Sequence, residues 1–243
     1  MKTMAERNLT VHGSALSGGG VFHHVTIRGD ATIRGDIECD RLKVFGAADM
    51  KGAVAARTFR LFGQANVDGP VQAEKMGVFG EVDIRGHARL GHLQLRGMAQ
   101  VEGGIEADVI RGYGELSVSG SCEAESVALT GVVHIGQTLN AEQVELSLCF
   151  ADSSVKEIGG RTISITRSKK WSAIHWLSRF SSSPAVLAAD VIEGDEIYVE
   201  YTRAAVVRGD RVTIGPGCDI GLVEYHTAFA QDKKAAVNEK RQR

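Results

Sequence analysis

The pentapeptides Leu42–Gly46 (LKVFG), Phe59–Gly63 (FRLFG) and Met76–Gly80 (MGVFG) repeat one pattern at equal spacing along the chain. Their last residue belongs to the evenly spaced series Gly29, Gly46, Gly63, Gly80, Gly97, Gly114 and Gly131, a 17-residue period. A second series, Gly35, Gly52, Gly69, Gly86, Gly103 and Gly120, keeps the same period at a fixed offset from the first. Together they take 13 of the 29 glycines in a chain with only 3 prolines, so something demands glycine geometry at regular corners without collagen or linker character.

Apolar columns run in the same register. One holds Val25, Leu42, Phe59, Met76, Leu93, Ile110, Val127 and Val144, and another Ile33, Met50, Val67, Ile84, Val101, Val118 and Ile135. A third holds Ile27, Val44, Leu61, Val78 and Leu95, loses its side chain at Gly112, and resumes at Leu129 and Leu146. Each unit therefore reads as three short period-2 segments separated by corners, with the named residues inside. A one-residue slip would invert every face, so the fixed spacing holds register. The fold class is all-β: a parallel β-solenoid of about 17 residues per coil. Leu9, Val11, Gly13 and Ala15 precede Val25, Ile27, Gly29 and Ala31 by one position less than the period, which predicts a slightly shorter first coil. Roughly eight coils at the ~4.8 Å strand spacing predict a core about 40 Å long.

The chain divides on this reading into a solenoid core over 8–149, a basic and aromatic insert or linker over 150–185, a C-terminal β-repeat block over 186–225, and a frayed basic tail over 226–243. The second block rests on Gly194–Val199 and Gly209–Ile214, which repeat at a somewhat shorter spacing, with Val191 and Val206 matching at that same spacing. Extension of the core and lateral packing on it are both open for that block.

Composition excludes several classes of function. A net charge of -2 gives no overall attraction to nucleic acid. Met1–Thr10 lacks the apolar segment of a secretory leader and no stretch approaches a membrane span, so a cytoplasmic location is expected. Cys39, Cys122, Cys149 and Cys218 form no CxxC pair and read as reduced, buried thiols. Hexapeptide-type transferases use coils that are multiples of six, which 17 is not, and His87 and His92 fall on an outer corner without a catalytic partner. Outward Asp40, Glu74, Asp108, Glu125 and Glu142 share a column interrupted by Arg57 and Gly91, and read as a solvated charged face. No phosphate-binding glycine loop is present in the sequence. No catalytic residue, cofactor, metal or small-molecule substrate is expected, and the reading is of a non-enzyme.

Three sets of residues are candidates for contact. The coil ends offer Leu9 and Val11 at the first coil, and Val144, Leu146 and Leu148 at the last regular one. An outward column contains Phe45, Phe62, Phe79 and Tyr113, an apolar stripe of the kind that marks a contact. The break in the pattern carries Lys169, Lys170, Trp171, Trp176 and Phe180, which suit a membrane surface or a partner, or a cap over a coil end.

With repeats such as Leu42–Gly46 and Val71–Ala73, the chain resembles the bactofilins, polymer-forming cytoskeletal proteins of bacteria. Its run Val212-Thr-Ile-Gly-Pro-Gly-Cys218 with Val223–Tyr225 is similar to that of the larger, two-block members. The resemblance implies a right-handed helix of coils that joins end to end into nucleotide-independent filaments, often at the inner face of the cell membrane. There such filaments organise envelope, shape or motility machinery. The expected partner is a second copy of the chain, with membrane and envelope or motility proteins as further candidates. A discrete membrane-surface or partner-binding adaptor is the alternative, and a hexapeptide-type transferase a more distant one.

Overall fold

A computed structural model describes residues 7–168 and 185–243. The chain forms two compact units, Met1–Gly120 and Ser121–Arg243. The first contains β1 (Leu9–Met50), β2 (Val54–Val67), β3 (Val71–Ile84), β4 (Ala88–Val101) and β5 (Ile105–Val118). The second contains β6 (Cys122–Leu148), β7 (Ser153–Arg167), β8 (Leu187–Val199), β9 (Thr202–Ile214), β10 (Asp219–Gln231) and β11 (Ala236–Gln242). Each unit is a parallel β-solenoid, and no helix among the described residues is long and apolar enough to cross a membrane.

In the first unit the 17-residue period is the pairing register. Leu42 lies beside Phe59, Phe59 beside Met76, Met76 beside Leu93 and Leu93 beside Ile110. Met50, Val67, Ile84, Val101 and Val118 stack in the same way. Both columns are buried. Alternation along each strand sends every second side chain inward, and each large apolar group so enclosed contributes about 1.5–3 kcal/mol. Outward neighbours pair across coils at the same spacing: Arg57 Nε donates to Asp40 Oδ1 (2.5 Å), Gln64 Nε2 to Glu81 Oε2 (3.0 Å) and Arg89 Nε to Glu106 Oε2 (2.9 Å).

The two glycine series serve different ends. Gly46, Gly63, Gly80, Gly97 and Gly114 hold φ between 123° and 139°. A Cβ on any of them would also collide with the carbonyl oxygen of the glycine one coil back. Side chains are excluded there twice, by the backbone conformation and by the contact. In the second series only Gly35 has such a φ, at 113°. Gly69 and Gly86 are needed for closeness alone, since a Cβ would lie 2.8 Å from Ala53 N and 2.6 Å from Pro70 N.

In the second unit the coil length varies. Val144 pairs with Ile163 at an offset of 19, Ile163 with Ile197 at 34, and Ile197 with Val212 at 15. The block over 186–225 therefore extends the stack: β8 pairs with β7, β9 with β8 and β10 with β9, all parallel. Two stretches differ from their expected character. The expected insert over 150–185 contains β7, a regular coil strand whose Ile158, Ile163 and Ile165 are buried. The expected tail over 226–243 instead carries the end of β10 and all of β11, which pairs in parallel from Asp219–Ala236 to Tyr225–Gln242.

Candidate assembly surfaces

The described part of the first coil starts at Arg7. Its shorter length is visible in the bond from His23 N to Arg7 O (2.9 Å) and in Gly29, whose missing Cβ would meet the Gly13 backbone. Val11 is buried and Leu9 half-buried, so two of the apolar columns reach this edge, while the column of Ile33 meets Ser17 there. Leu16 and Val21 in the same coil are 60% and 52% exposed. A Cβ on Gly13 would meet nothing, because no described coil lies on that side of it.

Val144, Leu146 and Leu148 are not at a coil end. They pair with Ile163, Ile165 and Arg167 of β7 and are buried, which corrects their expected position. The C-terminal edge of the second unit is β11. Here an interior column runs through Leu139, Ile158, Ile192, Val207 and Val223, all buried, and ends on Lys240. A second runs through Leu146, Ile165, Val199 and Ile214 and ends on Gln231. A third, through Val144, Ile163, Ile197 and Val212, ends on Phe229, with the Lys240 ammonium 5.7 Å from its ring centroid.

An outward column beside these alternates in sign: Glu193, Arg208, Glu224 and Arg241 occupy successive coils. Glu224 is buried, accepts from Arg208 Nε (2.8 Å) and Arg243 (2.8 Å), and lies 3.7 Å from Arg241 Nη1. The Arg208 hydrogen bond, assisted by Arg243, holds the Glu224 carboxyl below its ordinary range. Sequence reading missed this ladder, although Arg208, Glu224 and Arg241 recur at almost equal spacing.

The phenylalanine column forms a continuous stack. Phe45 and Phe62 lie 5.1 Å apart at 4°, and Phe62 and Phe79 lie 4.9 Å apart at 8°. Arg28 closes one end, 5.9 Å from the Phe45 ring, and Arg96 the other, 5.7 Å from Phe79. Phe45 and Phe62 are each 39% exposed, and Tyr113 follows Arg96 in the same column. Parallel stacking and terminal guanidinium contacts hold the rings in place and leave one edge of each to solvent.

The remaining candidates have structural settings. His87 Nδ1 accepts the Gly104 amide (3.0 Å), and His92 is exposed. Asp40 departs from the solvated face expected of its column: it is buried, and the Arg57 hydrogen bond lowers its pKa. His23, His24 and Asp40 bring ligand atoms within 4.8 Å of one another. Burial and then the charges of His23, Arg41 and Lys43 lower the His24 pKa, and with Arg57 already on Asp40 this cationic setting opposes a bound cation. All four cysteines are buried and free, and desolvation pushes Cys39 and Cys122 up to about 12 and Cys218 up to about 11. Lys169, Lys170, Trp171, Trp176 and Phe180 lie outside the described residues.

In-register parallel coils, glycine-locked corners and apolar columns that reach a strand edge define a β-solenoid of the structural, repeat-built class. A family model described as bactofilin, polymer-forming cytoskeletal, matches residues 2–89. The chain is 58% identical over 229 residues to the uncharacterized protein YhbE of Bacillus subtilis (strain 168), covering 94% of this chain and 95% of that one. It is 44% identical over 102 residues to the uncharacterized protein YhbF of the same organism, covering 42% of this chain and 40% of that relative's length. No solved structure matches. The chain belongs to the bactofilin family, a structural family of polymer-forming cytoskeletal proteins.

Proposed function

We propose that this chain is a cytoskeletal scaffold whose copies stack end to end through their coil edges into filaments, without nucleotide. The observation that carries the reading is the first coil. Leu9 and Val11 bring apolar columns to a strand edge, where a second copy's backbone and side chains can continue the stack. Family membership supports the polymer, and the resemblance supports a cytoplasmic site at the inner membrane face, where filaments organise envelope, shape or motility machinery. The phenylalanine stack is the proposed lateral contact between filaments.

Purified protein without nucleotide is expected to form filaments in negative stain and to sediment as a polymer. Val11→Asp, which puts a charge on the edge column, is expected to leave dispersed, folded particles. Wild-type protein that stays dispersed at all concentrations would overturn the reading.

A further inference from the structure

The first coil ends its interior columns without a charge, whereas the C-terminal edge ends one of them on Lys240, and the difference bears on how copies join. At the first coil two interior columns arrive as Leu9 and Val11 and that of Ile33 as the uncharged Ser17, with exposed Leu16 and Val21 beside them. At the C-terminal edge four interior columns end: that of Ala204 and Ile220 on Val237 of β11, that of Val223 on Lys240 of β11, and the other two on Phe229 and Gln231 of β10, with the Lys240 ammonium over the Phe229 ring. Further along β11, Arg241 pairs with Glu239 (2.9 Å) and Arg243 with Glu224, so the strand's charges are tied into its own unit. A copy stacking on this edge would have to desolvate Lys240 against its own apolar columns, a burial that is costly without a counter-charge. An inward-pointing charge at a sheet edge is a recognised means of blocking edge-to-edge pairing.

We infer that the C-terminal edge is guarded: Lys240 on β11, with Gln231 at the end of β10, holds that edge well below the first coil in its capacity to stack on a second copy. The inference rests on the end-to-end reading above. It makes the first coil the dominant docking surface for a second copy and makes contacts at the C-terminal edge the weak joints.

The test compares critical concentrations for assembly by sedimentation, using full-length wild type, Lys240→Leu, Gln231→Leu, Lys240→Glu and Val11→Asp. Continuing an interior column with leucine is expected to lower the critical concentration about tenfold or more, since each 1.4 kcal/mol gained at a joint is a factor of ten. Lys240→Glu, still charged, is expected to give no such drop. If Lys240→Leu loses stability in dilute solution, Gln231→Leu carries the comparison, because it ends a different column. Unchanged critical concentrations in both leucine variants, with Val11→Asp still blocking assembly, would overturn the guard and leave the scaffold intact. Assembly that survives Val11→Asp unaltered would instead overturn edge stacking itself, and the guard with it.

Discussion

Gly63 holds φ at 131° and its missing Cβ points into the carbonyl oxygen of Gly46, whereas Gly18 has no left-handed φ and open space around it. Gly63→Ala is expected to cost more than about 2 kcal/mol, and Gly18→Ala less than about 0.5 kcal/mol, read from urea midpoints of dilute protein. The sequence presents both simply as glycine. Period marks Gly63 as a corner, but only the backbone shows that the Gly69 and Gly86 positions are constrained by closeness and not by dihedral. The cysteines give a second measurement. Their folded pKa values lie above the ordinary thiol value of 9.0, so the unfolded chain releases protons first as pH rises. Stability is therefore expected to be full below about pH 9 and to fall as pH climbs toward 12, with thiol reagents reacting at pH 8 only after denaturation.

Strands β2 to β5 were legible because identical spacing repeats hydrophobic period, glycine corner and register together. Strand β7 was hidden: it pairs with β6 at offsets of 19 and 20 around a corner at 149–152, so Ile158, Ile163 and Ile165 fall out of phase with the earlier columns. Strand β11 was hidden for another reason. Its composition is that of a solvated tail, and only pairing to β10 reveals that Lys240 occupies an interior position. The same lesson separates two phenylalanines of a single strand, one facing in and one facing out. Phe59→Ala removes a fully buried ring and is expected to cost about 3–5 kcal/mol, while Phe62→Ala removes one ring of an exposed stack and is expected to cost about 1 kcal/mol. Beside β11 the Glu224 carboxyl has a depressed pKa, so its support is present above the ordinary glutamate range and is lost as pH falls through it. Hydrogen exchange is expected to show β11 amides losing protection below about pH 4 while β9 keeps its own, and Glu224→Gln to produce that loss at pH 7.

For the molecule as a whole, class and family could be read from repetition, but the position of the C-terminal coil edge could not. The regular period ends near Leu148, and an edge was expected there, yet β7 to β11 continue the stack of their unit in coils of unequal length. What the C-terminal edge of the second unit presents is set by its last paired strands, β10 and β11. The uniform turn of the first unit also bears on heredity. Removal of residues 69–85, one full turn, joins Asp68 to Gly86 and leaves every later side chain facing as before, whereas a deletion one residue shorter turns the downstream pleat inside out. The first deletion is expected to keep a cooperative melt and the second to abolish it. Lineages carrying this architecture can lengthen or shorten by copying or dropping whole turns, much as a ladder can gain or lose rungs but not fractions of one.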